Sequence, residues 1–171
     1  MDTQFDDLTG LNNRATLQTL GEGLCEQARA DGSLLGFLYT DVDGLKALTD
    51  ILGFPASDRL LVKIAQVIKS HLHGGAVVGR VGGDEFLVIA PVKNEEELTA
   101  LAEAIRAEAK TVVVMGGSYD EVPSAPVTLT LGLSCLPRHG TDFRTLLVAA
   151  EEASCQGKKA GRDRTVWAKT L

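Results

Sequence analysis

Two acidic pairs stand where chemistry is easily built. Asp41 and Asp43 close an apolar run that starts at Leu34, and Asp84 and Glu85 follow directly on Gly82-Gly83. Carboxylates are hard oxygen ligands. Mg²⁺ takes a few of them and fills the rest of its shell with waters and substrate phosphates. Two glycines beside them let a nucleotide come close to the backbone. Together these residues suit a divalent-metal site that handles phosphates. Taken by itself, the local pattern reads equally as a solvated hairpin tip.

The elements that must position these acids follow from the periodicity. Residues 13–30 put Leu17, Leu20, Leu24 and Ala28 on one helical stripe, broken by Gly32-Ser33. Leu34 to Val42 reads as a buried strand with Phe37, Tyr39 and Asp41 on one face. Pro55 suits the first turn of a helix carrying Leu61, Ile64, Ala65, Ile68 and Leu72, ended by Gly74-Gly75. Ala76 to Val81 and Phe86 to Ala90 predict a hairpin whose Gly82 and Gly83 supply positive φ. Asn94 and Glu97 form a capping box for a helix bearing Leu98, Leu101, Ala102 and Ile105. Residues 115–125 read as a loop. Val127, Leu129, Leu131 and Leu133 alternate with Thr128, Thr130, Gly132 and Ser134, so one face of that strand is expected to be buried. Thr141 is expected to cap a last helix with Phe143, Leu146, Leu147, Ala150 and Ala153, stopped by Gly161 before a short strand at 165–167. The order α-β-α-α-β-β-α-β-α-β predicts an α/β (α+β) fold, a mixed, mostly antiparallel sheet flanked by helices. No repeat or linker divides it, so residues 1–171 are expected to form a single domain.

Composition narrows the function classes. The 171 residues carry a net charge of −6 and are 44% apolar, which excludes a disordered, collagenous or low-complexity chain. A negative chain is a poor non-specific binder of DNA or RNA polymers, whose affinity comes from phosphate neutralisation. It still takes an anionic nucleotide when metal ions lie between the charges. Cys25, Cys135 and Cys155 are odd in number and lack metal or redox spacing, which predicts reduced thiols in a cytoplasmic setting. No apolar stretch approaches a bilayer span and no leader is evident, so no membrane attachment is expected. His71, His73 and His139 have no nucleophile at suggestive spacing and read as surface residues. Tyr119 and Trp167 read as packing or loop residues.

Read together, the segments resemble the GGDEF domain of diguanylate cyclases. Arg80-Val81-Gly82-Gly83-Asp84-Glu85-Phe86 carries the family signature. Asp6-Asp7-Leu8-Thr9-Gly10-Leu11-Asn12-Asn13-Arg14 resembles the opening motif D-x-L-T-G-L-x-N-R. Asp41-Val42-Asp43-Gly44-Leu45-Lys46 resembles D-x-D-x-F-K, and Gly157-Lys158-Lys159-Ala160-Gly161-Arg162-Asp163-Arg164 the closing A-K-x-x-G-R-N-R. The motifs run in order over residues 6–166.

The resemblance implies a fold like the palm of nucleotidyl cyclases and polymerases. It implies a reaction joining two GTP into cyclic di-GMP and two pyrophosphates. One domain holds one GTP, so a transient two-fold homodimer is expected for catalysis. By the same resemblance Mg²⁺, or Mn²⁺ in its place, is held by Asp41 and Asp84, with the Val42 carbonyl and Glu85 as further ligands. Asp84 ranks above Glu85, since adjacent strand side chains face opposite ways unless the turn bends the backbone. Asp84 is also implied to take the proton from the 3′-hydroxyl, and Lys46 to stabilise charge in the transition state. Lys158 and Arg162 are implied to hold the terminal phosphates; they are four apart, which would align them on one side of a helix. Arg80 is expected to order the hairpin acids, with Gly82 and Gly83 next to the nucleotide.

Four departures from the family pattern are visible. The guanine-reading Asn is Thr49, while the second guanine contact, Asp58, is kept. A hydroxyl replaces an amide that both donates and accepts, so weaker GTP binding or relaxed base choice is expected. Leu45 replaces Phe. In the last helix Cys155 replaces an aromatic anchor and Gly157 an Ala, which is expected to loosen Lys158. The R-x-x-D product-inhibition site falls on His73, Gly74, Gly75 and Ala76, so no primary inhibitory site is expected. An active cyclase competes with a degenerate GGDEF domain that binds GTP or a partner as a regulatory module. A third reading is a cyclase of adenine-containing dinucleotides. Only residues 1–12 precede the first helix, so a sensor or regulatory domain is expected in a longer protein.

Overall fold

The apolar run from Leu34 to Val42 becomes the middle strand of a five-stranded sheet. The computed structural model describes residues 3–114 and 126–170. Its elements are α1 (Arg14–Asp31), β1 (Leu34–Val42), α2 (Leu45–Leu52), α3 (Phe54–Ser70) and β2 (Val77–Arg80). They continue with β3 (Glu85–Val92), α4 (Glu95–Ala109), β4 (Leu129–Leu136), α5 (Phe143–Lys159) and β5 (Arg164–Trp167). The expected order is found element for element; the loop expected at 115–125 lies outside the described residues. The strands lie in the order β2-β3-β1-β4-β5. All pairs are antiparallel except β4 with β5. This is the mixed, mostly antiparallel sheet the sequence predicts.

Helices cover both faces. On one, Leu17 of α1 and Leu146 of α5 pack on Phe37, Tyr39, Leu87 and Ile89. On the other, Ile64 and Ile68 of α3 and Leu98 and Ile105 of α4 pack on Leu38, Val42, Phe86 and Val88. Asp41 continues the row of Phe37 and Tyr39, so its carboxylate belongs to the α1/α5 face. The antiparallel register sets it opposite Glu85 of β3 and Thr130 of β4.

Several local expectations are corrected. β4 is buried on both faces, not one. Gly132 admits the α5 backbone so closely that a Cβ there would stand 1.9 Å from Ala150 O. The polar residues facing α5 find partners: Ser134 Oγ donates to Leu146 O at 2.7 Å. α5 is capped by Asp142, whose side chain accepts from Thr145 N, rather than by Thr141; a carboxylate there also suits the helix dipole. α3 ends at Ser70, and Gly74 and Gly75 take positive φ in the turn before β2. Asn94 caps α4 as expected, but Glu97 reaches back to Lys93 N instead of Asn94 N. His139 is buried, contrary to the surface reading. Its Nδ1 accepts from Cys135 N, and its ring stacks on Trp167 at 5.8 Å. Among the described residues no helix is long and apolar enough to cross a membrane.

Candidate metal and nucleotide site

The end of β1 and the start of β3 bring Asp41, Asp84 and Glu85 together. One carboxylate oxygen of each lies within 4.8 Å of the others, and Asp41 is only 6% exposed. Asp41 and Glu85 are direct partners across the antiparallel pair. Asp84 joins them because Val42 N donates to its carbonyl at 3.2 Å, bending the turn over the end of β1. The adjacent acids thus converge, so Glu85 stands in the cluster beside Asp84. Clustered carboxylates with no soft ligand suit a hard divalent cation such as Mg²⁺ or Mn²⁺.

Gly82 and Gly83 do not take positive φ, unlike the glycines at 74 and 75. Gly82 is required for space: a Cβ would stand 1.9 Å from Glu85 Oε2. Gly83 meets nothing within 4 Å, and its carbonyl accepts from Arg80 Nε at 3.1 Å and Nη2 at 2.7 Å. Arg80 also ion-pairs with Asp6 at 3.2 Å. Its guanidinium is therefore committed to the Gly83 carbonyl and to Asp6. The N-terminal motif clamps the same hairpin. Asn12 Nδ2 donates to Val78 O and Arg14 Nη1 to Val81 O, while Arg80 N donates to Asn12 O. Thr9 N and Oγ1 both donate to Asp6, and these bonds help hold its carboxyl below the ordinary range despite its burial. Residue type alone marks neither Asp6 nor Asn12 as a clamp of this hairpin; their place in the opening motif is the signal that points to them.

Lys158 donates to Asp41 Oδ2 in a direct ion pair. Gly157 is buried against β4 and β5, where a Cβ would meet Thr130 Cγ2 at 2.7 Å, and this closeness carries Lys158 to the acids. Burial pushes the Asp41 carboxyl above its usual range, against the pull of Lys158, and Asp84 and Asp43 add to the rise. Burial works against the Lys158 charge as well, yet Asp41, Asp84 and Glu85 hold its ammonium above the ordinary range. Tyr39 lies in the same row, and burial and the Glu85 carboxylate push its phenol far up.

The other acid of the first pair does different work. Asp43 accepts from Thr128 Oγ1 at 2.9 Å, Thr130 Oγ1 at 2.7 Å and Asp163 N at 3.1 Å. It ties β1 to β4 and to the turn after α5, and it stands outside the cluster. Arg162 does not align with Lys158 on a helix, because α5 ends at Lys159. The turn is a Schellman motif: Gly161 N donates to Lys158 O, Arg162 N to Gly157 O, and Gly161 has φ 118°. Arg162 and Asp163 follow with φ 63° and 46°. Arg106 at 2.8 Å and Lys110 at 2.7 Å hold the Asp163 carboxylate and so fix this turn from α4.

Lys46 is exposed on the first turn of α2. Thr49, one turn on, is half-buried with its hydroxyl engaged inside the protein. Its hydroxyl donates to Leu45 O at 2.8 Å and lies 2.5 Å from Ser57 Oγ on α3. Asp58, next to Ser57, is exposed.

Comparison with known proteins agrees with this architecture. The family profile described as "Diguanylate cyclase, GGDEF domain" matches residues 3–164. The chain belongs to the GGDEF family. It is 31% identical over 160 residues to the cyclic di-GMP phosphodiesterase NbdA of Pseudomonas aeruginosa, with 94% of this chain and 20% of that protein covered. It is 29% identical over 168 residues to the diguanylate cyclase DosC of Escherichia coli, covering 98% of this chain and 36% of DosC. The chain thus spans between a fifth and about a third of these relatives. The GGDEF domain of YfiN (TpbB) from Pseudomonas aeruginosa superposes with a TM-score of 0.90 at 30% identity, covering 96% and 94% of the two chains. The GGDEF domain of DgcB from Caulobacter crescentus, in complex with c-di-GMP, shares the fold with a TM-score of 0.92 at 23% identity over 99% and 96%.

Proposed function

We propose that this domain is a Mg²⁺-dependent diguanylate cyclase that condenses two GTP into cyclic di-GMP and two pyrophosphates across a two-fold pair of domains. One observation carries the reading: three carboxylates converge at the end of the sheet, under a glycine turn, with a lysine beside them. Asp41, Asp84 and Glu85 hold the divalent ion, with the Val42 carbonyl as a further oxygen. When bound, the ion neutralises charge at the phosphates. Asp84 is the acceptor for the 3′-hydroxyl proton. Lys46 offsets charge in the transition state, Lys158 and Arg162 grip the terminal phosphates, and Asp58 accepts from the guanine edge. The domain works inside the cell, attached in a longer protein to a sensor or regulatory domain.

A second reading, a regulatory domain that binds GTP or a partner without turnover, is favoured by one feature. The Thr49 hydroxyl is already engaged by Leu45 O and Ser57, so it has no proton left for a base. Incubation with Mg²⁺ and GTP at high protein concentration, with products read by mass spectrometry beside Asp84→Ala, decides between the two. Cyclic di-GMP from the wild type alone establishes the cyclase. Bound GTP without product establishes the regulator, and ATP run in parallel tests base choice.

A further inference from the structure

We propose that Lys158 is a resident cation of the acidic cluster, which metal and nucleotide displace together. This rests on the cyclase reading above and assigns the lysine a second partner. Asp41 is buried, and its Oδ2 already accepts from the Lys158 ammonium. An ammonium has donors and no acceptor, so on this oxygen it uses the same lone pairs a divalent ion would use. Three carboxylates within 4.8 Å repel one another, and Lys158 offsets part of that repulsion. Arg80, the cation of the neighbouring hairpin, is spent on Asp6 and the Gly83 carbonyl. Gly157 and the close seating of α5 hold Lys158 at this place.

A divalent ion arriving alone must therefore push a cation off Asp41 and leave it unpaired in a partly buried position. A triphosphate arriving with the ion offers the ammonium a new anion within the reach of its flexible stem. Metal by itself is then expected to load poorly, and metal with nucleotide to load well. The linkage is reciprocal: nucleotide tightens metal by the factor that metal tightens nucleotide.

Mn²⁺ binding to the whole chain, followed by electron paramagnetic resonance with and without a non-hydrolysable GTP analogue, tests this. Without nucleotide, Lys158→Met is expected to bind Mn²⁺ about tenfold or more tightly than the wild type, because a nearby positive charge is gone. Lys158→Arg, which keeps the charge, stays close to the wild type. The enhancement that the analogue gives to Mn²⁺ binding shrinks in Lys158→Met. Equal or weaker Mn²⁺ binding by Lys158→Met without nucleotide overturns the proposal. Failure of the cyclase reading looks different: GTP then binds without yielding cyclic di-GMP, while the nucleotide-free comparison still decides the role of the lysine.

Discussion

The direction of the Glu85 carboxylate depends on position 82 having a hydrogen where other residues have Cβ. Because Oε2 of Glu85 occupies that place, Gly82→Ala must turn the carboxylate away. The obstructing atom is the far end of a flexible side chain, so the fold survives. Gly82→Ala is expected to melt within about 2 °C of the wild type yet lose about tenfold in Mn²⁺ affinity. Gly83→Ala, with open space and no positive φ, is expected to leave both unchanged. Calorimetry and metal titration of the two variants check this together. His139 makes a different residue-scale case. Burial holds its imidazole below the ordinary value of 6.5, with Arg138 adding to the effect. As acid is added, the unfolded chain takes up the proton first, so stability is full above 6.5 and falls as the pH drops through and below it. His139→Asn keeps an acceptor for Cys135 N and removes the titration. Its melting temperature is expected to change less than that of the wild type between about pH 7.5 and about pH 5.5, in urea or thermal melts across that range.

At the scale of elements, the site depends on how closely α5 lies on β4. Gly132 faces Ala150 O and Ser154 N, which are backbone atoms that cannot swing aside. Gly132→Ala is expected to lift the helix and cost more than about 3 kcal/mol, visible as a lower denaturation midpoint; a variant as stable as the wild type refutes the close seating. The order of elements was legible because each has its own local signature: a stripe at helical spacing, an apolar run, an Asn or Gly at an end. The acids of the signature were legible for the same reason. Their division of labour came from the family resemblance and not from any local pattern. Asp41 and Asp43 look alike two residues apart, and what separates them is a pair of threonine hydroxyls more than eighty residues away in sequence. The Lys158–Asp41 pair spans 117 residues and follows from helix seating that no local pattern encodes. His139 appeared solvent-exposed for a similar reason, since Trp167 stacks over it from β5. Thr49 was legible as a departure from the family, but not that Ser57 would engage its hydroxyl.

Among the described residues one cluster of acids lies under a glycine turn at one end of the five-stranded sheet. On the cyclase reading this handles one GTP, whereas cyclic di-GMP needs two nucleotides with each 3′-hydroxyl facing the other α-phosphate. A single copy therefore holds half of the reacting groups, and a two-fold pair supplies the rest with the same residues used twice. The charge of −6 works against such a pair, since two like-charged domains must approach. Metal ions and bound counter-ions lower that repulsion at the acidic end. The chain is therefore expected to be mainly monomeric when dilute, with the active pair a minor species whose concentration follows the square of the protein concentration. Turnover per mole of protein should then rise in proportion to protein concentration until the pair dominates, so doubling a dilute sample should raise the total rate about fourfold. Added salt should shift the same curve to lower concentration by screening the like charges. Initial rates of pyrophosphate release across a dilution series, paired with sedimentation at the same concentrations, give the measurement. A rate strictly linear in protein down to nanomolar amounts would mean that a pre-formed pair, or a single domain, carries the reaction.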